Sequence, residues 1–229
     1  MTERFGQSEE TVAAGEAESP TIERTSARNL AETDKRRQIL DGARTVFMGS
    51  GFDGASMGEI AKAAGVSKGT LYVYFDSKEA LFEALTLEEK RGLAEALFQL
   101  DADDPDIRGV LTRLGRSYLV HMIRPDHVAI IRMVIGATEK FPRFGQAFYE
   151  AGPAQGVARL TAYLDRQVAA GRLRPADTEL AAKHFLHLCQ AGLLTRLLFA
   201  AGGPVTEAEI DPRVSEAMRV FFAAYGPEA

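Results

Sequence analysis

Between Ala55 and Lys78 the chain carries two short helices, each opened by its own cap and separated by a glycine turn. No other stretch constrains the fold as much. Ser56-Met57-Gly58-Glu59 has the form of a capping box. The serine oxygen accepts a first-turn N–H, and the glutamate reaches back to the N–H of the cap. Met57, Ile60, Ala61 and Ala64 then form an inner face, and Gly65-Val66 makes the turn. Ser67 opens a second helix of roughly two turns that runs through Phe75. Leu71 and Phe75, four apart, face inward and hold this helix on a core. Asp76 or Ser77 caps a further helix, with Leu81, Phe82 and Leu85 inward and Glu79 near its positive end. Two capped helices joined by a tight glycine turn are helix-turn-helix architecture.

The surroundings are helical as well. A helix starting near Thr33 places Ile39, Leu40, Ala43, Val46 and Phe47 on one stripe, and Gly49 and Gly51 accept its left-handed stop. Beyond residue 100, one stripe joins Ile107, Val110, Leu111, Leu114, Tyr118 and Met122. Pro125 opens the next helix, and a shorter segment runs from Pro142 to Tyr149. Val157, Leu160, Leu164 and Val168 make another stripe, stopped at Gly171. Residues 177–200 read as one helix apolar almost all round, and a last helix covers about 212–225. No alternating apolar run marks a strand, and no solenoid repeat appears. The expected fold is all-α: a three-helix helix-turn-helix domain over 31–80, then a helical bundle over 81–229. Residues 1–30, rich in Glu, Ser, Thr, Ala and Gly, read as a disordered acidic arm.

Composition excludes several classes. The single cysteine, Cys189, allows neither an internal disulfide nor a paired-cysteine metal or redox motif, and it reads as a buried small apolar residue. His184 and His187 are spaced i, i+3 but lack a third ligand, so no metal and no cofactor is expected. Charges interrupt every long apolar stretch, which argues against a membrane span, and no leader segment is recognisable. A soluble cytoplasmic protein follows as the expectation. No nucleophile elbow, phosphate loop or dinucleotide fingerprint is present, and Asp103-Asp104 reads as a solvated turn, so an enzyme is not expected. The net charge of −5 argues weakly against nucleic acid. However, residues 1–32 hold seven acids against three bases, which leaves −1 for the rest. What matters is where Lys35, Arg36, Arg37, Lys62, Lys68 and Lys78 lie in space.

In helix-turn-helix proteins the first residues of the second helix meet base edges in the major groove. Here these are Ser67, Lys68, Gly69 and Thr70. Lys68 can donate to guanine, and Thr70 offers a hydroxyl and a methyl suited to thymine. Gly69 has no side chain and lets the helix approach closely. Tyr72 and Tyr74 carry hydroxyls that reach phosphates, and Ser56 lies at the start of the supporting helix. Tyr72 combines a packing ring with a polar tip. Lys78 combines a helix start with an ammonium, a pairing suited to phosphate. In isolation both lysines would read as solvated surface residues; the surrounding motif turns that reading to DNA contact. Arg36 and Arg37 read equally as a solvated face or as flanking phosphate contacts.

The stretch from Thr33 to Phe82 resembles the DNA-binding domain of TetR-type transcriptional regulators. The resemblance is carried by Phe52-Asp53-Gly54-Ala55-Ser56-Met57, Ile60-Ala61, Ala64 through Tyr72, Tyr74-Phe75 and Ser77 through Phe82. Phe141-Pro142-Arg143-Phe144, Phe148-Tyr149 and Gly152-Pro153 to Leu164 are similar to the C-terminal domain of an AefR-like branch. Gly58 and Val73 depart from the pattern, standing where many relatives place a polar or aromatic DNA-touching residue. Base readout then leans on Lys68 and Thr70. The resemblance implies a homodimer through the last two helices, about 177–200 and 212–225, on a palindromic double-stranded operator. It also implies repression relieved by a small effector, of hydrophobic or amphipathic character from the residues at hand. Candidate lining residues are Tyr118, His121, Met122, Met133, Phe148 and Tyr163, with His121 and Arg132 as polar anchors. The alternative is that His121 is a satisfied core histidine, and that Phe98, Met133, Phe144, Phe148 and Tyr163 are plain core. A second reading of the whole chain is an all-helical small-molecule or metal-binding protein without DNA function. The stretch Lys68 to Tyr72 discriminates between the two: exposure on a positive surface favours DNA binding, and burial by other elements favours the second reading.

Overall fold

The computed structural model describes the backbone of residues 20–97, 99–174 and 176–227, and side chains over 32–88, 99–174 and 176–227. Among these residues there are eleven α-helices and no strand. Helix α1 spans Pro20–Gly54, α2 Met57–Ala63, α3 Lys68–Tyr74, α4 Lys78–Leu97, α5 Ile107–Met122 and α6 Pro125–Thr138. Helix α7 spans Pro142–Tyr149 and passes through a π turn, Glu150–Ala154, into α8, Gln155–Ala169. Helix α9 spans Thr178–Gln190 and α10 Leu193–Leu198; a 3₁₀ turn, Glu207–Glu209, leads into α11, Ile210–Tyr225. No described helix is long and apolar enough to cross a membrane.

Three expectations are corrected. The first helix begins at Pro20, not near Thr33, so the expected disordered arm 1–30 is helical over its last residues. Proline suits the first turn of a helix, where its missing N–H has no partner to lose. Residues 1–19 lie outside the described residues. Second, 177–200 is not one helix. Ala191 (φ 37°) and Gly192 (φ 79°) are both left-handed and divide α9 from α10. Glycine adopts that conformation without a Cβ penalty, which makes it a natural place for a break. Third, the segment is not apolar all round: α9 exposes Glu179, His184 and His187. Phe199, within the stretch read as apolar, is 81% exposed.

From Ile39 onward the apolar residues gather into two cores. The first joins α1, α2, α3 and the start of α4 through residues such as Phe47, Ile60, Leu71 and Phe82. It also takes in Ile130, Val134 and Ala137 of α6 and Phe144 of α7. Phe52 meets Phe82, Phe141 and Phe144 at ring-centroid distances of 5.1, 5.6 and 5.4 Å, tilted or edge-on, as aromatic quadrupoles prefer. The second core joins α5, α8, α9 and α11 through Leu111, Leu160, Phe185 and Phe221. Helix α4 runs unbroken through residues 80 and 81, the division expected from the sequence, and α6–α7 belong to the first core as much as to the bundle.

Candidate nucleic-acid interface

The capping box forms. Ser56 Oγ accepts from Glu59 N at 3.3 Å, and Glu59 Oε2 accepts from Ser56 N at 3.0 Å and from Ser56 Oγ at 2.7 Å. This fixes the start of α2, whose Ile60 and Ala61 are buried. Gly65 then turns the chain at φ 64°, a left-handed position that only glycine takes without strain. Val66 N donates back to Ala61 O at 3.0 Å. Ser67 caps α3 through Thr70 N at 3.0 Å, and the Ser67 and Thr70 hydroxyls share a 2.8 Å hydrogen bond. Leu71 and Phe75 anchor α3 to the core from below.

The outward side of α3 carries the residues that the sequence singles out. Ser67, Lys68 and Gly69 are exposed, Tyr72 is 50% exposed and Val73 82% exposed. Thr70 is half-buried, with its hydroxyl tied to Ser67. Tyr74 is half-buried and packs against the first core, so the mixed packing-and-polar role falls to it as much as to Tyr72. Within Lys68 to Tyr72, Lys68, Gly69 and Tyr72 are exposed, Thr70 is half-buried and Leu71 is buried. Gly58 explains itself here. A Cβ at that position would stand 3.0 Å from Lys68 Cε and 3.2 Å from its Nζ, so the glycine leaves α2 open for the Lys68 side chain to lie across.

Ser77, rather than Asp76, caps α4, accepting from Ala80 N at 3.1 Å. Lys78, a candidate phosphate contact, makes bonds within the protein. Its ammonium donates to Phe52 O at 2.7 Å and Asp53 O at 3.4 Å, and lies 4.5 Å from the Phe52 ring centroid. Gly51 (φ 70°) breaks the helix just before these residues, and the ammonium satisfies carbonyls of the short turn that follows the break. Lys78 thus ties α4 to the end of α1, a role the linear pattern does not signal. Lys140 extends the same junction with an ion pair to Asp53 at 3.5 Å, and Arg143 with one to Glu83 at 3.7 Å.

The candidate effector residues do not converge on one place. Tyr163 belongs to the second core, and Tyr118 packs against it. Met133 and Phe148 pack against the first core. Met122 is buried, and His121 Nε2 pairs with His127 Nδ1 at 3.1 Å across the α5–α6 corner. Burial pushes the Tyr118 and Tyr163 hydroxyls up to about 12. Tyr118 accepts from Gln190 Nε2, whereas the buried Tyr163 hydroxyl has no hydrogen-bond partner among the described residues. Arg132 faces a different cavity, bounded by α5, α6 and α10. Phe98 lies outside the described residues. Cys189 is buried, and burial pushes its thiol up to about 12. Asp104 pairs with Arg113 at 2.9 Å beside Asp106, which caps α5, in an exposed acidic turn. Among the described residues no group of three or more His, Cys, Asp or Glu is placed to hold a metal ion.

Residues 39–85 match the family of bacterial regulatory proteins known as the tetR family. Residues 109–227 match the C-terminal domain of AefR-like transcriptional repressors. The chain is 32% identical over 163 residues to the HTH-type transcriptional repressor Rv1474c of Mycobacterium tuberculosis, covering 71% of this chain and 82% of that one. Its fold is similar to that of a TetR-family regulator from Mesorhizobium loti, with a TM-score of 0.80, 26% identity, and coverage of 85% of this chain and 98% of the other. The flavonoid-responsive regulator FrrA is similar too, with a TM-score of 0.71, 33% identity, and coverage of 86% and 100%.

Proposed function

This chain belongs to the TetR family of bacterial regulatory proteins and is a DNA-binding transcriptional regulator, and from that premise we propose that it represses transcription as a homodimer on a palindromic operator until a small effector releases it. The observation that carries the reading is the exposed face of α3, with Lys68, Gly69, Tyr72 and Val73 held outward, beside half-buried Thr70, by buried Leu71 and Phe75. Lys68 and the Thr70 methyl read base edges; Ser56, Tyr72 and Tyr74 orient the head on phosphate. The Ser67–Thr70 hydroxyl bond presents Thr70 in one rotamer, which lowers the entropy lost on contact.

Helices α9 and α11 form the dimer interface in this reading. Their outward grooves are lined by Leu188, Ala191, Val220 and Ala224, an apolar face flanked by His184 and His187. Contiguous apolar surface of this kind marks an interaction site. The effector is a molecule with an apolar body, a reading supported by the similarity to a flavonoid-responsive regulator. It releases DNA when it favours a head-spread state by a few kcal/mol, on the order of 5 kcal/mol for a complete switch. Selection from a random duplex library with the full chain tests the reading. Enrichment of an inverted repeat, with half-sites about 34 Å or a multiple apart, supports it; enrichment without symmetry, or none, refutes it.

A further inference from the structure

We propose that the cavity between α5, α6, α10 and the loop that follows α10 binds an amphipathic organic anion, a carboxylate or sulfonate carried on an apolar body. The cavity encloses about 520 Å³, within the range of small-molecule sites. Its apolar wall is Val120, Val128, Leu197 and Val205. Three guanidinium groups, Arg124, Arg132 and Arg196, share that wall, and Glu207 stands at its edge.

The charges around this cavity do not cancel. Arg124 is paired with Asp126 at 2.5 Å, and Glu207 is engaged by Arg116 at 3.5 Å. Arg196 is paired with Glu209 at 3.3 Å. Arg132 has no carboxylate partner among the described residues. Its Nε and Nη2 donate to the carbonyls of Leu198 and Leu197, at 3.0 and 2.5 Å, where α10 ends. Its remaining N–H groups have no acceptor among the described residues. Arg132 is exposed at the cavity, and its remaining donors match a group with several lone pairs and a negative charge. A carboxylate engages Arg132, and the apolar wall accepts the rest of the molecule. A neutral acceptor gains only a hydrogen bond from these donors, without an ion pair, and a cation meets like charge.

The site is distinct from Tyr118, Met122, Met133, Phe148 and Tyr163, none of which lines it. It also has a route to the head. Pro125, Val128 and Arg132 lie on α6, and Ile130, Val134 and Ala137 of the same helix are part of the first core with Phe82 and Leu71. A ligand that shifts α6 therefore shifts a wall of the core on which α3 rests. This last step rests on the operator-binding reading above; occupancy of the cavity does not.

The test is calorimetric titration of the full chain with three probes of one apolar length: octanoate, octan-1-ol and octylammonium. Octanoate is expected to bind about tenfold or more tightly than the alcohol, with no binding of the ammonium. Arg132→Gln is expected to weaken octanoate by about tenfold or more and to leave the alcohol unchanged. Because Arg132 also caps α10, Ala201→Trp provides a second variant: it fills the cavity from an exposed rim position and is expected to block octanoate. Arg219→Gln, on an exposed pair with Glu216, is expected to change nothing. Equal affinity for acid and alcohol overturns the proposal, as does octanoate binding that survives both Arg132→Gln and Ala201→Trp, or no octanoate binding at millimolar concentration. Operator affinity measured on the same samples separates the two levels. Octanoate that binds and leaves operator affinity untouched removes the α6 coupling alone.

Discussion

Replacing Gly42 by alanine tests how the head is built. Gly42 lies in the interior of α1, where alanine ordinarily stabilises a helix by about 1 kcal/mol over glycine. The structure reverses the sign. A Cβ at residue 42 would stand 2.5 Å from Ala64 N and 2.6 Å from both Ala64 Cα and Cβ. Unstrained carbon contacts lie at about 3.5–4.0 Å, so α1 and the end of α2 must separate by about 1 Å. The colliding atoms are backbone and Cβ, and no rotamer change relieves them. Overpacking of this kind costs about 1–3 kcal/mol, and the upper end applies to a backbone collision. Less the propensity gain, the expected net loss is about 2 kcal/mol, or about 4–8 °C in Tm for a body of this size. Ala64 leads directly into the turn that aims α3, so operator affinity should fall as well. Calorimetry and operator titration of the same variant read both effects. Gly49→Ala is the control: it has the same chemistry in the same helix, with nothing within 4 Å of the new Cβ, and should gain up to about 1 kcal/mol. A Gly42→Ala protein as stable as the parent would refute the close approach of α1 to α2.

Other consequences follow from the caps, the junction and the buried ionisable groups. Ser56→Ala should cost about 1 kcal/mol in urea unfolding, since it removes the cap of α2. Lys78→Gln should lower thermal stability even without DNA, because the ammonium holds the Phe52 and Asp53 carbonyls; a change confined to the salt dependence of DNA binding would make Lys78 a phosphate contact only. Thr70→Ala should alter preference at one base position, whereas Tyr72→Phe should weaken all sequences alike; identical profiles across operator variants would refute that division. Cys189 titrates at about 12 in the fold against 9.0 as a free thiol, so the folded state holds its proton longer than the unfolded chain. Its stabilisation is complete below pH 9 and is lost as pH climbs from 9 towards 12, at up to about 1.4 kcal/mol per pH unit. Cys189→Ala should flatten the fall of the urea midpoint between pH 9 and 10, and the native thiol should resist alkylation at pH 8; an unchanged slope or rapid alkylation would contradict its burial.

Much of the head is legible in the linear chain because its determinants are local. A cap bonds to an N–H three residues away, a left-handed turn is set by one glycine, and a buried stripe repeats every three or four residues. Ser56, Glu59, Gly65, Ser67, Leu71 and Phe75 are all of this kind, and the structure places each where such rules put it. The exposed face of α3 then follows from the buried one. What the tertiary structure alone decided involves partners far apart in sequence. Lys78 finds the end of α1, 26 residues upstream, rather than open solvent. Phe141 and Phe144 complete the head's core from the α6–α7 corner, so the expected division at residue 80 crosses a shared core. Gly42 reads as a helix weakness until Ala64 is seen against it. Arg132 and Arg196, 64 positions apart, meet across one cavity, while the residues chosen for apolar bulk disperse into two cores. Apolar periodicity reports that a side chain is buried and not what it is buried against. That second question is answered by how the helices stack, which no local rule encodes.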